Sequence, residues 1–136
     1  MLKISKSVEY AVLALKYISE NENNKFISAK EISHCAGIPY DLLSKILQKL
    51  GKNHIINSQQ GTKGGYSLKK KANKISLSEI VNSVDEKIFL TNCMVDNPGI
   101  ENCSRLDDCF IRDPIKKLND KIIQLFNKTT LDKLIN

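Results

Sequence analysis

Three cysteines follow one another in a polar stretch of the second half of the chain. Cys93, Cys103 and Cys109 are separated by nine and by five residues, and Pro98 and Gly99 lie between the first two. Thiolates are soft ligands that bind zinc, copper(I) or iron–sulphur clusters. The spacing lacks the paired CxxC motifs of a zinc ribbon. A metal or cluster site, redox-active thiols and incidental cysteines therefore all stay open from the spacing alone.

The rest of the chain offers few groups for catalysis. It has two histidines and no tryptophan, and it contains no nucleophile with a partner base and no phosphate-binding glycine motif before a helix. We therefore expect that the protein is not an enzyme. The fourth cysteine, Cys35, is expected to be a small hydrophobic residue buried in the core. His54 is expected to lie in a tight turn, where left-handed backbone is tolerated, rather than to bind a metal.

Composition and charge are typical of a globular protein with a basic first part. Hydrophobic residues make up 41% and charged residues 26% of the 136. There is no apolar run of membrane-spanning length and no signal-peptide pattern, which predicts a cytoplasmic protein with reduced thiols. Residues 1–74 carry 13 Lys or Arg against 5 Asp or Glu, whereas residues 75–136 carry 8 against 10. This asymmetry indicates a polyanion partner, although surface lysines that merely face solvent are the alternative.

A helix-turn-helix is predicted in the first half of the chain. Residues 7–19 have apolar side chains at helical spacing, and residues 20–25 form a polar surface loop. The segment Ser28-Ala29-Lys30-Glu31 is a capping box that opens a second helix, which is expected to end near Gly37. A third helix over residues 39–50 follows. Its predicted apolar stripe consists of Leu42, Leu43, Ile46, Leu47 and Leu50. Gly51 is expected to end this helix.

A glycine-rich hairpin is predicted after these helices. Residues 55–58 and 66–68 are typical of short strands, and the loop between them contains three glycines. A helix-turn-helix followed by such a hairpin is a winged helix. A second capping box, Ser76-Leu77-Ser78-Glu79, predicts a helix that runs to about Val84. The expected fold is therefore mainly α, with a winged helix-turn-helix domain and a two-stranded wing.

The last third of the chain predicts a loop and a long C-terminal helix. Periodicity is lost over residues 89–110, and the following apolar residues at helical spacing are Ile111, Ile115, Leu118, Ile122, Leu125 and Phe126. Because so small a body cannot cover this stripe, we expect a twin helix and hence a homodimer, with packing on its own domain as the alternative. The predicted units are the DNA-binding domain 1–86, a cysteine-bearing loop 87–110 and a dimerisation helix 111–136.

The predicted winged helix defines a candidate surface for double-stranded DNA. The N-terminal part of a recognition helix meets base edges in the major groove, while other cations contact phosphate. The residues expected to reach bases are Tyr40, Asp41, Ser44 and Lys45. Those expected near phosphates or the minor groove are Gln48, Lys49, Lys52, Gln60 and Lys63, together with Ser28 and Lys30 at a helix N-terminus. Each alone is more often a solvated surface residue, and their clustering favours DNA binding.

Several segments together resemble one known family. They are Ser7-Val8-Glu9-Tyr10-Ala11, Gly37-Ile38-Pro39, Gly61-Thr62-Lys63-Gly64-Gly65-Tyr66, Ile80-Val81-Asn82-Ser83-Val84-Asp85-Glu86, the cysteine loop and Thr129-Thr130-Leu131. This combination resembles the Rrf2 family of dimeric winged-helix transcription regulators, the class of IscR, NsrR and RirA. The resemblance spans nearly the whole chain. Its most specific feature is the glycine-rich wing ending in Gly-Gly-Tyr and followed by three cysteines.

The resemblance implies a repressor or activator, with repressor favoured, whose affinity for a palindromic operator is controlled by an iron–sulphur cluster. A 2Fe–2S or 4Fe–4S cluster would be held by Cys93, Cys103 and Cys109. The histidine that completes the IscR-type site is replaced by Arg112. The carboxylate that the first helix of the partner subunit supplies in the NsrR type corresponds to Glu9, which is otherwise an ordinary exposed glutamate.

Two alternatives to the cluster-dependent regulator stay open. A cluster-free regulator of the same fold would sense through thiols or a protein partner, as the family's cysteine-metabolism regulators do. An electron-carrying or zinc-stabilised module would use the same cysteines but would leave the wing and the helix-turn-helix unexplained. Gln60 also occupies a wing position that is often arginine in the IscR type, so its minor-groove selectivity is expected to differ.

Overall fold

The structure is a computed structural model that describes residues 2–21, 23, 25–85 and 87–136. Its helices and strands, in chain order, are α1 Lys6–Asn21, α2 Ala29–Ala36, α3 Tyr40–Lys52, β1 Ile56–Gln59, β2 Gly65–Leu68, α4 Leu77–Val84, α5 Arg112–Lys128 and α6 Leu131–Ile135. Short 3-10 turns cover Ala72–Lys74 and Asn92–Met94. The predicted mainly helical fold with a two-stranded wing is confirmed.

The buried core is built by the inward faces of α1 to α4. In α1 the buried residues Val8, Ala11, Leu15 and Ile18 recur every three or four positions, so one stripe of the helix faces the core. The helix runs on to Asn21, so the polar segment predicted as a loop from residue 20 begins later; two residues of that segment, 22 and 24, lie outside the described residues. Helix α1 packs against α2, α3 and α4, which makes it the centre of this bundle.

Helix α2 is held at both ends by local chemistry. The Ser28 hydroxyl accepts a hydrogen bond from the Glu31 N–H at 3.1 Å, and Gly37 closes the helix in the left-handed conformation at φ 67°. The predicted capping box is only half formed. The Glu31 carboxylate accepts a hydrogen bond from the Tyr17 hydroxyl at 3.0 Å, instead of one from the backbone N–H of Ser28. Helix α2 is thereby tied to α1.

Two predictions for α3 were wrong. Gly51 does not end the helix, which continues to Lys52. His54 lies in the turn that follows, in the left-handed conformation at φ 60°, as predicted. Leu42 is 47% exposed and does not belong to the apolar stripe. The buried residues of α3 are Leu43, Ile46, Leu47 and Leu50. These four already complete one helical face, and Leu42 lies about 100° away from Leu43 around the helix.

The wing is an antiparallel hairpin that is anchored to the segment before α2. Ile56 pairs with Leu68, and Gln59 pairs with Gly65. The Tyr66 backbone also exchanges two hydrogen bonds with Ile27, at 2.8 and 2.9 Å. Gly65 has φ 149°, and a Cβ there would collide with the Ile27 carbonyl oxygen. Only glycine therefore fits where the wing crosses this segment.

The C-terminal part returns to the core after α5. Helix α4 begins with a complete capping box between Ser76 and Glu79, as predicted. The backbone on either side of Ser76 pairs with the α5–α6 junction, where the Leu77 N–H donates to the Thr129 carbonyl at 2.7 Å. The Leu131 N–H donates to Ile75 at 2.8 Å, and the Leu131 side chain is fully buried. The C-terminal region thus consists of a long helix followed by a short one that docks on the core.

The cysteine loop, residues 87–110, and helix α5 lie largely outside the core. No described residue of the loop is buried, and Asn119 is the buried residue of α5. Three apolar residues on or next to α5 are strongly exposed, namely Ile111, Leu118 and Leu125. Among the described residues, no helix is long and apolar enough to cross a membrane.

Candidate DNA-binding surface and cysteine loop

The outward face of α3 carries the residues predicted to read DNA. Tyr40, Asp41, Lys45, Gln48 and Lys49 are exposed, and Ser44 is half-buried. They lie on the side of the helix opposite the buried leucines, so the core holds the helix and leaves its polar face free. This is the geometry that a recognition helix needs to enter a major groove.

The wing and α2 extend this surface. Gln60 and Lys63 are exposed at the hairpin tip, where Gly61 has φ 111°, and Ser28 and Lys30 are exposed at the start of α2. Between α3 and the wing lies a cleft of about 640 Å³, which is lined by Lys45, Gln48, Lys49, Lys52, Ser58, Tyr66 and three neighbouring residues. Among the described residues, the wall of this cleft contains no acidic side chain, which suits a phosphate backbone.

Leu42 is a candidate contact that sequence reasoning missed. It was assigned to the core, yet it is as exposed as Tyr40, at 47% each. An apolar side chain at the start of a recognition helix can contact the methyl group of thymine. The available signal was the spacing of Leu43, Ile46 and Leu47, which completes the inward stripe without Leu42.

The three loop cysteines are free and half-buried. Cys93, Cys103 and Cys109 form no disulfide, and the Cys93 sulphur lies 3.1 Å from the Thr91 hydroxyl oxygen. Within the described part of the chain, no three potential metal ligands of the Cys, His, Asp or Glu type lie together. The donor set fits an iron–sulphur cluster in its chemistry, because three thiols share one loop, but this single chain does not assemble them.

Cys35 was predicted to be buried, and this was wrong. It is exposed near the end of α2, where Ile32 alone supplies the buried contact of that helix. Its thiol faces Tyr17, whose pKa is raised by hydrogen bonding to Cys35 and, to a smaller extent, to Glu31. The Tyr17 hydroxyl therefore stays protonated and remains a donor to Glu31.

Glu9 is accessible on the surface of α1. Its carboxylate accepts a hydrogen bond from the Lys6 ammonium at 2.6 Å, and this hydrogen bond raises the pKa of Lys6. Both side chains are well exposed, so the pair contributes little stability and is easily exchanged for another partner. One turn further along the same face, Leu13 is 44% exposed. This face of α1 is therefore open to a second chain.

Arg112 joins α5 to the cysteine loop. Its guanidinium donates to the Leu106 carbonyl at 3.1 Å, between the second and third cysteines. Arg112 and Cys93 also line a cavity of about 790 Å³ between the loop, α4 and α5. A guanidinium is always protonated and has no lone pair to give a metal. Arg112 therefore shapes the loop and could not itself serve as a metal ligand there.

Comparisons with known proteins agree with this architecture. The family model Rrf2, described as an iron-dependent transcriptional regulator, matches residues 4–136. The HTH-type transcriptional regulator IscR of Pectobacterium atrosepticum is 30% identical over 135 residues, which are 99% of this chain and 80% of that protein.

Solved structures of low identity show the same fold. CymR (YrzC), the global cysteine regulator of B. subtilis, has a TM-score of 0.72 at 19% identity, covering 99% of this chain and 97% of that one. The oxidized form of Staphylococcus aureus CymR has a TM-score of 0.70 at 22% identity, covering 99% and 97%. The family consists of DNA-binding regulators, which agrees with the expectation of a non-enzyme. The chain belongs to the Rrf2 family of transcription regulators.

Proposed function

We propose that this regulator is a repressor whose operator affinity is controlled by an iron–sulphur cluster. The observation that carries the proposal is the set of three free, half-buried thiols in the single loop that joins the DNA-binding core to α5. The thiols of Cys93, Cys103 and Cys109 are the proposed ligands, and the Glu9 carboxylate from a second copy is the proposed fourth. A 2Fe–2S or 4Fe–4S cluster would suit such a set.

The exposed stripe of α5 supports the proposal of a homodimer. Ile111, Leu118 and Leu125 recur every seven residues and are 63%, 48% and 61% exposed. A repeat of seven is the spacing at which two helices pack along a common seam. Burying this stripe in a symmetric dimer would place two α3 helices for a palindromic operator, whose half-sites lie about 34 Å apart.

The chain's own residues indicate how the loop would act on DNA affinity. The loop contains no residue of the buried core, so drawing its three thiols together does not require the core to unfold. When bound, a cluster supplies a crosslink among thiolates that oxidation can reverse. Arg112 holds the loop to α5, and Glu9 would tie the first helix of one copy to the loop of the other. The relative position of the two recognition helices would then depend on the loop.

The first test is the colour and the metal content of the protein purified without oxygen. After reconstitution with ferrous iron and sulphide, the wild type should absorb broadly in the visible and contain both elements. The Cys103→Ser variant should contain much less iron and sulphide per chain than the wild type. A wild-type protein that stays colourless and free of iron would contradict the cluster proposal and leave the family assignment intact.

The fourth ligand is tested with two carboxylates of the same helix. Glu9→Ala should keep the thermal stability of the apo-protein but lose iron faster than the wild type on exposure to a chelator. Glu20→Ala removes another exposed carboxylate from α1 and serves as the matched control. Equal rates of iron loss in the wild type and in Glu9→Ala would exclude Glu9.

A cluster-free thiol sensor is the second candidate. Two observations favour it: the described residues do not bring three ligands together, and CymR, named a global cysteine regulator, has the same fold. In that case the reconstituted protein is colourless, and oxidation of the thiols changes its operator affinity. Replacing all three loop cysteines by serine would abolish that change.

A further inference from the structure

Asn119 is a polar residue buried where α5 faces the cysteine loop. It is 6% exposed, whereas its neighbours Leu118 and Asp120 are exposed. Its Oδ1 accepts the N–H of Leu90 at 2.8 Å. A buried carboxamide is retained at low cost only when it is hydrogen-bonded. The position of Asn119 therefore depends on Leu90.

This hydrogen bond reaches the loop close to its first cysteine. Leu90 lies three residues before Cys93, and the next residue, Thr91, places its hydroxyl 3.1 Å from the Cys93 sulphur. Asn119 and Cys93 also line the same cavity of about 790 Å³ between the loop, α4 and α5. A movement of Cys93 would thus be passed along a short backbone segment to the carboxamide.

Asn119 lies on a different face of α5 from the exposed apolar stripe. It is about 100° around the helix from Leu118, which belongs to that stripe. Arg112, Lys116 and Ile123 share the Asn119 side and line the cavity with it. The helix can therefore contact the loop on one face while the stripe packs against a second copy on the other.

We propose that Asn119 is a positioning residue that transmits the state of the cysteine loop to α5. This inference rests on the proposed regulation by the loop thiols, and it holds for a cluster or for thiol chemistry alike. The Oδ1 to N–H bond ties the middle of α5 to the start of the cysteine loop. A change at Cys93 alters that bond, and α5 carries the change to the dimer and to the two recognition helices.

The test compares two variants of Asn119 with a matched asparagine in the loop. Asn119→Leu removes the acceptor at similar volume, and Asn119→Asp retains an oxygen acceptor. Asn102 accepts the Gly99 N–H at the same 2.8 Å but stays within the loop, so Asn102→Leu is the control. All proteins carry Cys35→Ser, because that exposed thiol would also react with the probe.

Two measurements follow alkylation of the loop thiols with N-ethylmaleimide. In the wild type we expect altered hydrogen exchange in α5 and a change in operator Kd within the range of about 5- to 150-fold that is common for coupled sites. Asn119→Leu should lose both responses, with a Kd ratio near one, while Asn119→Asp and Asn102→Leu should retain them. Should Asn119→Leu fail to fold, Asn119→Ser provides a shorter side chain that cannot reach Leu90.

The outcomes separate this inference from the cluster proposal. A full response in Asn119→Leu, its loss in Asn102→Leu as well, or an unchanged α5 in the alkylated wild type would each overturn the role of Asn119. None of these readouts needs iron. A colourless protein that shows the predicted pattern would contradict the cluster alone, and a brown protein whose Asn119→Leu variant responds normally would contradict only the positioning role.

Discussion

The two halves of the molecule differ in what holds them in place. Among the described residues, nineteen of the twenty that form the buried core lie between residues 8 and 84, which we call the DNA-reading body. From residue 85 to residue 130, Asn119 is the one described residue that is buried. The body is therefore packed almost entirely by its own side chains, and α6 adds Leu131. The cysteine loop and α5 contribute few buried side chains, and in the proposed function a second copy and a cluster would complete their packing.

This difference suits a sensor. Segments with few buried apolar contacts open at low free-energy cost, so a small chemical change can move them. The body, in contrast, holds α3 and the wing through buried side chains that the loop does not supply. A regulator built this way changes where its DNA-reading surfaces lie without changing the surfaces themselves.

The largest expected effect concerns the exposed leucine of α5. Leu118→Ala should weaken dimerisation by about 1.5 to 3 kcal/mol. Full burial of a leucine contributes about 1.5 to 3 kcal/mol, only about half of Leu118 is left to bury, and a symmetric dimer buries it twice. Leu42→Ala is the control, since Leu42 is equally exposed at 47% against 48% but lies on α3. Sedimentation equilibrium measures both. Dimers of equal strength in the two variants would contradict the assignment of the interface to α5.

The next effect tests how closely the body is packed. Gly65→Ala should lower the free energy of unfolding by about 1 to 3 kcal/mol, because φ 149° is strained for alanine and its Cβ would collide with Ile27. Gly51→Ala should instead raise it by about 0.5 to 1 kcal/mol, since Gly51 lies in a helix with open space around it. Urea denaturation distinguishes the signs. A neutral Gly65→Ala would show that the wing is not anchored there.

Two lysines of α3 should differ in what they do on DNA. Lys45→Ala is expected to cost about 1 to 3 kcal/mol of operator affinity and to relax the preference at one base pair. Lys49→Ala should weaken binding to all sequences alike and reduce the salt dependence by about one unit of slope. Titrations of operator and random DNA at several salt concentrations measure this. Equal losses on both DNAs for Lys45→Ala would place that residue at phosphate.

The smallest effect concerns the start of α4. Ser76→Ala should destabilise the protein by about 1 kcal/mol through loss of the capping box.

The carboxylate of Glu79 makes the stability at the start of α4 depend on pH. Partial burial alone would raise the pKa of Glu79, but the Lys70 ammonium and the Ser76 N–H and hydroxyl stabilise the charged form more strongly and hold the pKa below 4.5. The stabilisation by this carboxylate is therefore complete above about pH 4.5 and lost as the pH falls through the lower folded value.

The pH dependence can be measured with one further variant. Between about pH 6 and pH 3, the wild type should lose more stability than Glu79→Gln, which cannot titrate. Thermal melts across this range give both curves. Parallel curves would show that the carboxylate contributes nothing beyond its uncharged hydrogen bonds.

The sequence predicts best those features that depend on local chemistry. The helix starts at Ser28 and Ser76 and the left-handed Gly37 are set by residues within one turn, and all three are found in the structure. Leu42 and Cys35 were misassigned because spacing alone does not decide which adjacent residue faces the core. Tertiary packing decides which residue faces the core. The buried stripe of α3 is complete without Leu42, and Ile32 is the buried residue of α2.

The cysteine loop and the C-terminal helices are harder to predict, because their positions depend on contacts between residues far apart in sequence. The docking of Leu131 beside Ile75 joins segments far apart in sequence, and no local motif announces it. The role of Asn119 is likewise visible only once Leu90 lies beside it. The described residues of one chain do not bring three metal ligands together, so neither the sequence nor the fold shows how the three loop cysteines would meet.

In the proposed function the cysteine loop controls how well a preformed body binds its operator. The direct measurement is an anaerobic anisotropy titration of an operator selected from random DNA, with iron-loaded and iron-depleted protein. The wild type should show different Kd values for the two forms, and a variant with Cys93, Cys103 and Cys109 all replaced by serine should show one. Equal Kd values for both wild-type forms, with iron demonstrably bound in one of them, would contradict control of operator affinity by the cysteine loop.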